Sequence, residues 1–217
     1  HAAMIIFALA MLLITFFGGF KAVCWTDFFQ GILMFAALMT VPIVIAITKD
    51  MDPAALSVVY SYKDAVSGEM VECSFGTGLF DASWQDIISG LAWGLGYFGM
   101  PHILVRFMSI EKPSMIKKSS IVAIIWVVIS LFSAVMIAYF GRMIMGEELL
   151  THGDQKLVFI AMSRKFFPAG ICGLLLAAII AASISTADSQ LLVASSSFTA
   201  DLYKPFFRKG ASEKETL

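Results

Sequence analysis

Long apolar stretches constrain the fold of this chain more than any other feature of its sequence. An α-helix needs about 20 mostly apolar residues to cross the hydrocarbon core of a bilayer. Five stretches meet or approach that length, at residues 3–20, 28–48, 86–108, 120–141 and 169–198. The chain is 59% hydrophobic and only 14% charged, whereas soluble domains carry about 25% charged residues. We therefore predict an all-α integral membrane protein with about five transmembrane helices embedded in the lipid bilayer.

The charges between these stretches predict their orientation, because Lys and Arg concentrate in cytoplasmic loops. The connection KAVCWTD at 21–27 is short, residues 109–119 are basic, and the segment 199–217 is basic in its second part. Residues 49–85 hold six acidic residues against two lysines, and residues 142–168 are mixed in charge. We expect the first three segments to lie in the cytoplasm and the other two outside the cell. Turn signals at Gly18–Gly19, Asp52–Pro53 and Phe167–Pro168 mark span ends.

The sequence opens with His1, directly inside an apolar stretch and without a signal-peptide pattern. We therefore expect residues 1–217 to be a fragment of a single polytopic domain. We expect this fragment to pack against the rest of the same chain. A net charge of -1 gives no reason to expect a nucleic acid as partner. Cys24, Cys73 and Cys172 are too far apart to predict a disulfide framework or a metal site.

The stretch 86–108 stands out because it combines four glycines between 90 and 99 with Pro101. Gly and Pro weaken a helix by about 1 and about 3 kcal/mol, and in lipid the freed backbone groups need partners in protein or in a cavity. Trp93, Tyr97 and Pro101 are spaced by four and should share one helix face. A glycine-interrupted span with such an aromatic stripe indicates a transporter binding site.

Simpler interpretations exist for parts of this stretch. Gly90 and Gly94 fit a small-residue motif for tight helix packing, and the aromatic pair could belong to an interfacial belt. His102 has no second ligand at helical spacing, so we expect it to be packed or hydrogen-bonded. Arg106 is expected to be a cytoplasmic anchor.

The last stretch, 169–198, carries oxygen atoms where lipid-facing residues would be expected. Ser185, Asp188 and Ser189 are at i, i+3 and i+4 and share a helix face. Thr186 borders that face, and the Ala182 carbonyl lies one turn earlier and could approach the hydroxyls if the helix loosens. A carboxylate in a span costs at least ~2.5 kcal/mol and is a functional candidate. Such oxygens suit a hard cation such as sodium.

Two alternatives apply to this oxygen-rich face. A single Ser or Thr hydroxyl can hydrogen-bond back to the helix at i−4, which needs no ligand. Asp188 could also lie at the cytoplasmic end of the span and simply be hydrated.

Four motifs link these features to a known family. They read AVCWTDFFQG, AWGLGYFGMPHILVRFM, ISTADSQLLVASSSFTADLY and YKPFFRKGASEKE. In sequence, order and spacing they resemble the sodium:solute symporter family, specifically its sodium/proline symporters, over nearly the whole chain. The resemblance implies a LeuT-type fold of inverted repeats, in which this chain would supply the fourth to the eighth of the ten core helices.

The resemblance also implies site residues. Ala182, Ser185 and Thr186 match the carbonyl and two hydroxyls that hold sodium on the eighth core helix. Asp27 matches the acid of the family's WTD motif, which is tied to sodium affinity. In some members that acid helps form a second sodium site, with polar residues that match Asp188 and Ser189.

The substrate site of proline transporters has an aromatic pair and a proline that match Trp93, Tyr97 and Pro101. The implied function is sodium-coupled uptake of L-proline by alternating access, by a multi-pass protein of the inner (plasma) membrane that is not an enzyme. Alternatives are a sodium symporter for another amino acid, a sugar or a vitamin, the sensor module of a signalling kinase, or a passive channel or scaffold.

Overall fold

In a computed structural model, the structure describes residues 2–63, 68–74, 83–146, 148–149 and 155–210. The α-helices of this part of the chain are α1 (Ala2–Thr48), α2 (Trp84–Phe98), α3 (Pro101–Met108), α4 (Pro113–Met145), α5 (Val158–Phe166) and α6 (Ala169–Ser197). Short 3-10 turns at Pro53–Leu56 and Gln155–Leu157 and a π-helical segment at Phe198–Phe207 complete the helical structure. The prediction of a mainly helical chain is therefore confirmed.

Among the described residues, three helices are long and apolar enough to cross a membrane. They cover Met11–Thr48, Pro113–Met145 and Ala169–Phe207. The helices α2 and α3, bent by 51° at their junction, can count together as a fourth, broken span. The predicted number of five transmembrane helices is not confirmed, because the first two predicted stretches run into one another in α1.

The helix α1 kinks at the predicted Gly18–Gly19 turn signal. Gly19 has φ of 55° and ψ of −160°, a conformation that glycine reaches without steric cost because it has no Cβ. A Cβ added at Gly18 would lie 2.2 Å from the Ala22 Cβ, so the close approach of the Ala22 side chain here also requires glycine. The segment KAVCWTD was expected to connect two helices, and this expectation is wrong. Residues 21–27 continue as helix beyond the kink.

The connection between α1 and α2 is not wholly irregular, because it holds a short β-hairpin that the sequence analysis did not predict. Strands β1 (Val59–Lys63) and β2 (Met70–Ser74) pair antiparallel, with Val59 opposite Ser74 and Lys63 opposite Met70. Val59, Tyr60 and Tyr62 in the first strand and Val71 in the second are residue types that favour strands. Before them, Asp52 caps the turn at Pro53–Leu56 by accepting a hydrogen bond from the Ala54 N–H at 2.9 Å.

The core of the molecule lies where α1, α4, α5 and α6 meet. Its buried side chains are Ala37, Val41 and Ile45 of α1, Ile137 and Met145 of α4, Met162 of α5, and Leu175 and Ala178 of α6. Burial of such apolar surface contributes about 25 cal/mol per Å² where water is excluded. This packing fixes the second half of α1 against α6, and the candidate site lies on that same contact.

The directions of the helices follow from paired contacts. Gly31 lies next to the Trp126 ring, and further along both helices the Ser133 hydroxyl lies 3.1 Å from the Met39 sulfur. The second half of α1 and α4 therefore run parallel, which brings residues 21–27 and 109–119 to the same end of the bundle. This agrees with the charge-based expectation that both segments face the same side of the membrane.

Candidate functional site

The glycine-rich stretch breaks into two helices, as its sequence predicts. A capping box between Ser83 and Asp86 begins α2, with the Asp86 N–H donating to the Ser83 hydroxyl at 3.2 Å. The helix ends at Phe98, and Gly99 and Met100 form the junction before Pro101 opens α3. Proline is tolerated in the first turn of a helix but not in its interior, so its position decides where the break falls.

The aromatic pair forms a flat apolar surface just before this break. The rings of Trp93 and Tyr97 stack with centroids 5.6 Å apart and planes inclined by 26°. Their exposed fractions are 73% and 46%. Pro101 lies beyond the 51° bend, so the expectation that all three residues share one continuous helix face is wrong.

The hydroxyls predicted to bind sodium lie on a regular part of α6. The Thr186 hydroxyl donates to the Ala182 carbonyl at 3.2 Å, which is the simple i−4 bond considered above. Thr186 is exposed, whereas Ser185 is half-buried and lies close enough to interact with the Asp27 carboxylate. The helix is uninterrupted from Ala169 to Ser197, so the loosening that would free the Ala182 carbonyl is not observed.

Asp188 is buried between α1 and α6. Its exposed fraction is 0%, so the alternative in which this acid is simply hydrated is wrong. The Thr15 hydroxyl donates to Asp188 Oδ1 at 3.3 Å. The second oxygen, Oδ2, is buried and has no hydrogen-bond partner among the residues that the structure describes.

Asp27 forms the second half of the same polar contact. The Ser189 hydroxyl donates to Asp27 Oδ2 at 3.2 Å, which joins the WTD segment of α1 to α6. The Arg106 guanidinium, from α3, contacts both Asp27 Oδ2 and the Ser189 hydroxyl through the same Nη2 atom. Arg106, expected as a cytoplasmic anchor, thus also has partners on α1 and α6.

We call this set the α1–α6 polar cluster; its members are Thr15 and Asp27 of α1, Ser185, Asp188 and Ser189 of α6, and Arg106 of α3. Like Asp188 Oδ2, Asp27 Oδ1 is buried and lacks a hydrogen-bond partner in the described part of the chain. Leaving a buried polar atom unpaired costs about 1–3 kcal/mol, and more for a charged group. Two such oxygens, flanked by hydroxyls, fit a hard monovalent cation, whose ligands are oxygens.

Transition-metal chemistry has no comparable support. Within the described residues no three or more His, Cys, Asp or Glu side chains come together in a group that could hold a metal ion. The acceptor atoms of the α1–α6 polar cluster are all oxygens, which favours an alkali cation over a metal that prefers nitrogen or sulfur.

Two cavities reach the α1–α6 polar cluster. One, of about 420 Å³, is lined by Phe20, Cys24, Asp27, Phe28, Arg106 and Ser109 and lies at the end of the bundle that holds residues 21–27. The other, of about 570 Å³, lies at the Gly19 kink, and its lining includes Thr15 and Val105. Asp27 therefore borders one cavity, and the hydroxyl that donates to Asp188 borders the other.

Sequence reasoning grouped Ser185, Asp188 and Ser189 by helical spacing and included Asp27 through the family resemblance. It missed Thr15 and the pairing of Arg106 with Asp27. Thr15 stands alone in an apolar stretch and carries no motif that would single it out. The partner of Arg106 lies 79 residues away, and no helical spacing can link residues at that separation. Only the packing of α1 and α3 against α6 brings these side chains together.

Comparison with known proteins agrees with these features. The chain matches the model of the sodium:solute symporter family over residues 1–217. It is 42% identical to the high-affinity proline transporter PutP of Bacillus subtilis over 203 residues, which are 94% of this chain and 41% of that one. It is 41% identical to the osmoregulated proline transporter OpuE of the same species over 207 residues, or 95% of this chain and 40% of that one.

A third relative is the sodium/proline symporter 2 of Staphylococcus saprophyticus, with 41% identity over 204 residues, which are 94% of this chain and 38% of the relative. The chain thus spans about two fifths of the length of these relatives. No solved structure gives a significant match. The chain belongs to the sodium:solute symporter family and is a multi-pass plasma-membrane protein.

Proposed function

We propose that the full-length protein containing this chain couples sodium entry to the uptake of L-proline by alternating access. The observation that carries the proposal is the α1–α6 polar cluster, in which the carboxylates of Asp27 and Asp188 each keep one buried oxygen without a hydrogen-bond partner in the described part of the chain. The printed names of the relatives add the substrate, since they are proline transporters and a sodium/proline symporter. These are transporters and not enzymes, and we propose the same for this chain.

Sodium is a transported substrate in this proposal, and two sets of residues would bind it. Ala182, Ser185 and Thr186 offer a carbonyl and two hydroxyls within about one turn of α6. Asp27 and Asp188, with Ser189, offer a second set. The unpaired carboxylate oxygens support the second set more strongly, because in the structure the Thr186 hydroxyl and the Ala182 carbonyl bond to each other.

Proline would bind at the broken helix. The stacked rings of Trp93 and Tyr97 offer a flat apolar surface to a pyrrolidine ring, and burial of that ring would contribute roughly 2 kcal/mol. Pro101 opens the next helix and leaves the junction at Gly99–Met100 outside a regular helix. Interrupted spans of this kind form the substrate sites of many transporters.

The sodium and electrical gradients are large enough for this task. A membrane potential of 100 mV is worth ~2.3 kcal/mol per charge, and a tenfold sodium gradient adds about 1.4 kcal/mol. Entry of one sodium ion with one neutral proline could therefore sustain accumulation on the order of several hundredfold.

We further propose a LeuT-type inverted-repeat fold, with spans near 3–20, 28–48, 86–108, 120–141 and 169–198 and with 199–217 in the cytoplasm. The kink at Gly19 supports a separation of the first two spans inside α1. The 51° bend between α2 and α3 supports a discontinuous third span, a feature of transporter helices that line a binding site.

The test is uptake of labelled L-proline by the purified full-length protein in proteoliposomes. An inward sodium gradient should drive accumulation, and an equal potassium gradient should not. Competition by unlabelled amino acids, sugars and vitamins identifies the solute among the alternatives. Equal uptake with either cation would rule out sodium coupling and favour a passive channel. Binding of proline without uptake would favour a sensor.

A further inference from the structure

Arg106 is a charged residue of the α1–α6 polar cluster to which neither the proposed sodium sites nor the proline site assigns a role. Its guanidinium contacts the Asp27 carboxylate and the Ser189 hydroxyl through one nitrogen atom. Asp27 Oδ2 also accepts the hydrogen bond from Ser189. The guanidinium is thus a cation held by the same oxygens that would contribute to the second sodium set.

The contact with Arg106 leaves some carboxylate oxygens of the cluster without a hydrogen bond. Asp27 Oδ1 and Asp188 Oδ2 are buried and have no hydrogen-bond partner in the described residues even with Arg106 in place. An arginine can pair with both oxygens of a carboxylate in a bidentate geometry, and Arg106 uses only Oδ2. A small cation could reach oxygens that the planar guanidinium leaves unpaired.

Arg106 is also the more exposed partner of the pair. Its side chain is 45% exposed, whereas that of Asp27 is 9% exposed. It lies on α3, an eight-residue helix with no buried residues, and it lines the 420 Å³ cavity beside Asp27. The guanidinium can leave the carboxylate and enter the cavity without opening the core, whereas Asp27 is fixed in the contact between α1 and α6.

We propose that Arg106 is a tethered competitor of sodium, a positioning residue that holds Asp27 and Ser189 until sodium displaces it. The inference rests on the proposed function, because it needs a sodium ion that binds the same oxygens. Since α3 is joined to α2 by the short junction at Gly99–Met100, release of Arg106 would free α3 and the helix that carries Trp93 and Tyr97. Sodium occupancy would thereby be linked to the position of the broken helix.

The first test compares the sodium dependence of proline uptake in the full-length protein with that of Arg106→Gln. Removal of the competitor should lower the sodium concentration for half-maximal uptake about fivefold, which corresponds to about 1 kcal/mol. Arg106→Lys keeps the charge and should stay closer to wild type. Arg164→Gln is the matched control, because Arg164 is an exposed arginine in the last turn of α5.

The second test measures the accessibility of a cysteine in the cavity and does not depend on transport. Cys24 lines the same cavity as Asp27 and Arg106, so a full-length variant with Cys24 as its only cysteine reports on access. Sodium, compared with potassium, should slow alkylation of Cys24 by N-ethylmaleimide, because the displaced guanidinium moves into the cavity that this thiol lines. In the Arg106→Gln background the rate should be equally fast with both cations.

The outcomes separate this inference from the proposed function. A sodium requirement that is unchanged or raised in Arg106→Gln would overturn the tethered competitor while leaving sodium coupling intact. Should Arg106→Gln fail to fold, an equal alkylation rate of Cys24 in sodium and potassium in the arginine-containing protein would overturn it as well. If the wild-type protein shows no sodium-dependent uptake at all, the proposed function itself fails.

Discussion

Asp27 and Ser189 lie 162 positions apart in the sequence, and the Ser189 hydroxyl donates to the Asp27 carboxylate at 3.2 Å. This contact joins the beginning of the second half of α1 to α6 at a level where Asp188 is also fully buried. A polar contact of this kind among apolar helices is expensive unless a ligand or a partner satisfies its oxygens. The proposed second sodium set and the closing prediction on Asp27 depend on this contact.

The hydroxyls of α6 supply the first prediction. Ser185→Ala and Thr186→Ala in the full-length protein should each strongly weaken the sodium activation of proline uptake, because each removes one oxygen of the proposed set. Ser183→Ala is the control, since its hydroxyl lies on the same helix and bonds only weakly back to the Ile179 carbonyl, at 3.4 Å. If half-maximal uptake needs the same sodium concentration in both test variants, this set does not bind sodium.

Substitution of the aromatic pair should weaken the binding of proline more than the binding of sodium. Trp93→Ala and Tyr97→Ala each remove one ring of the stack, and the loss of roughly 2 kcal/mol of apolar contact should weaken proline binding by about thirtyfold. Equilibrium binding of labelled proline to purified full-length protein at saturating sodium measures this. Leu95→Ala, which removes an exposed apolar side chain from the same helix, should bind normally. Wild-type affinity in both ring variants would make the pair a packing feature.

The kink in α1 predicts an effect on stability. Gly18→Ala places a Cβ 2.2 Å from the Ala22 Cβ, and Gly19→Ala forces a side chain into a positive-φ conformation essentially confined to glycine, which costs about 1–3 kcal/mol. Both variants should lower the thermal unfolding temperature of the purified protein in detergent. Gly173→Ala, where a Cβ meets nothing within 4 Å, should leave it unchanged or raise it. Full stability in both test variants would show that α1 does not need the kink.

The loop charges predict topology. A single cysteine placed at Lys117 or Lys209 should react with a membrane-impermeant thiol reagent only from the cytoplasmic side, and one placed at Lys63 only from outside. The first two positions lie in basic segments and the third in the acidic connection. Labelling of position 117 in intact cells would contradict the proposed orientation.

Sequence periodicity predicted the helices well and the turns between them less well. Apolar length predicts α4 and α6, and the glycines with Pro101 predict the break between α2 and α3. The hairpin of β1 and β2 was missed because two five-residue strands in a polar connection carry a much weaker signal than a span. The helical course of residues 21–27 was missed because charged and polar residues in that segment resemble a loop.

The candidate site was predictable only where its residues share one helix. Ser185, Asp188 and Ser189 could be grouped by spacing alone, and Asp27 entered through the family motif. Thr15 and Arg106 belong to the site because α1 and α3 pack against α6, and tertiary contacts of that kind leave no local pattern. For Pro101 the local pattern was misleading. Its spacing predicted a helix face shared with Trp93 and Tyr97, and the bend between α2 and α3 removes that face.

The sodium dependence of proline binding to purified full-length protein tests the central claim most directly. Asp27→Asn removes the charge of a buried carboxylate in the α1–α6 polar cluster but keeps its shape, and Asp201→Asn is the control because Asp201 is exposed. The account predicts that Asp27→Asn raises the sodium concentration for half-maximal proline binding by about tenfold or more, since a bond to a charged group contributes ~1.5–3 kcal/mol. An unchanged sodium dependence in Asp27→Asn would contradict it.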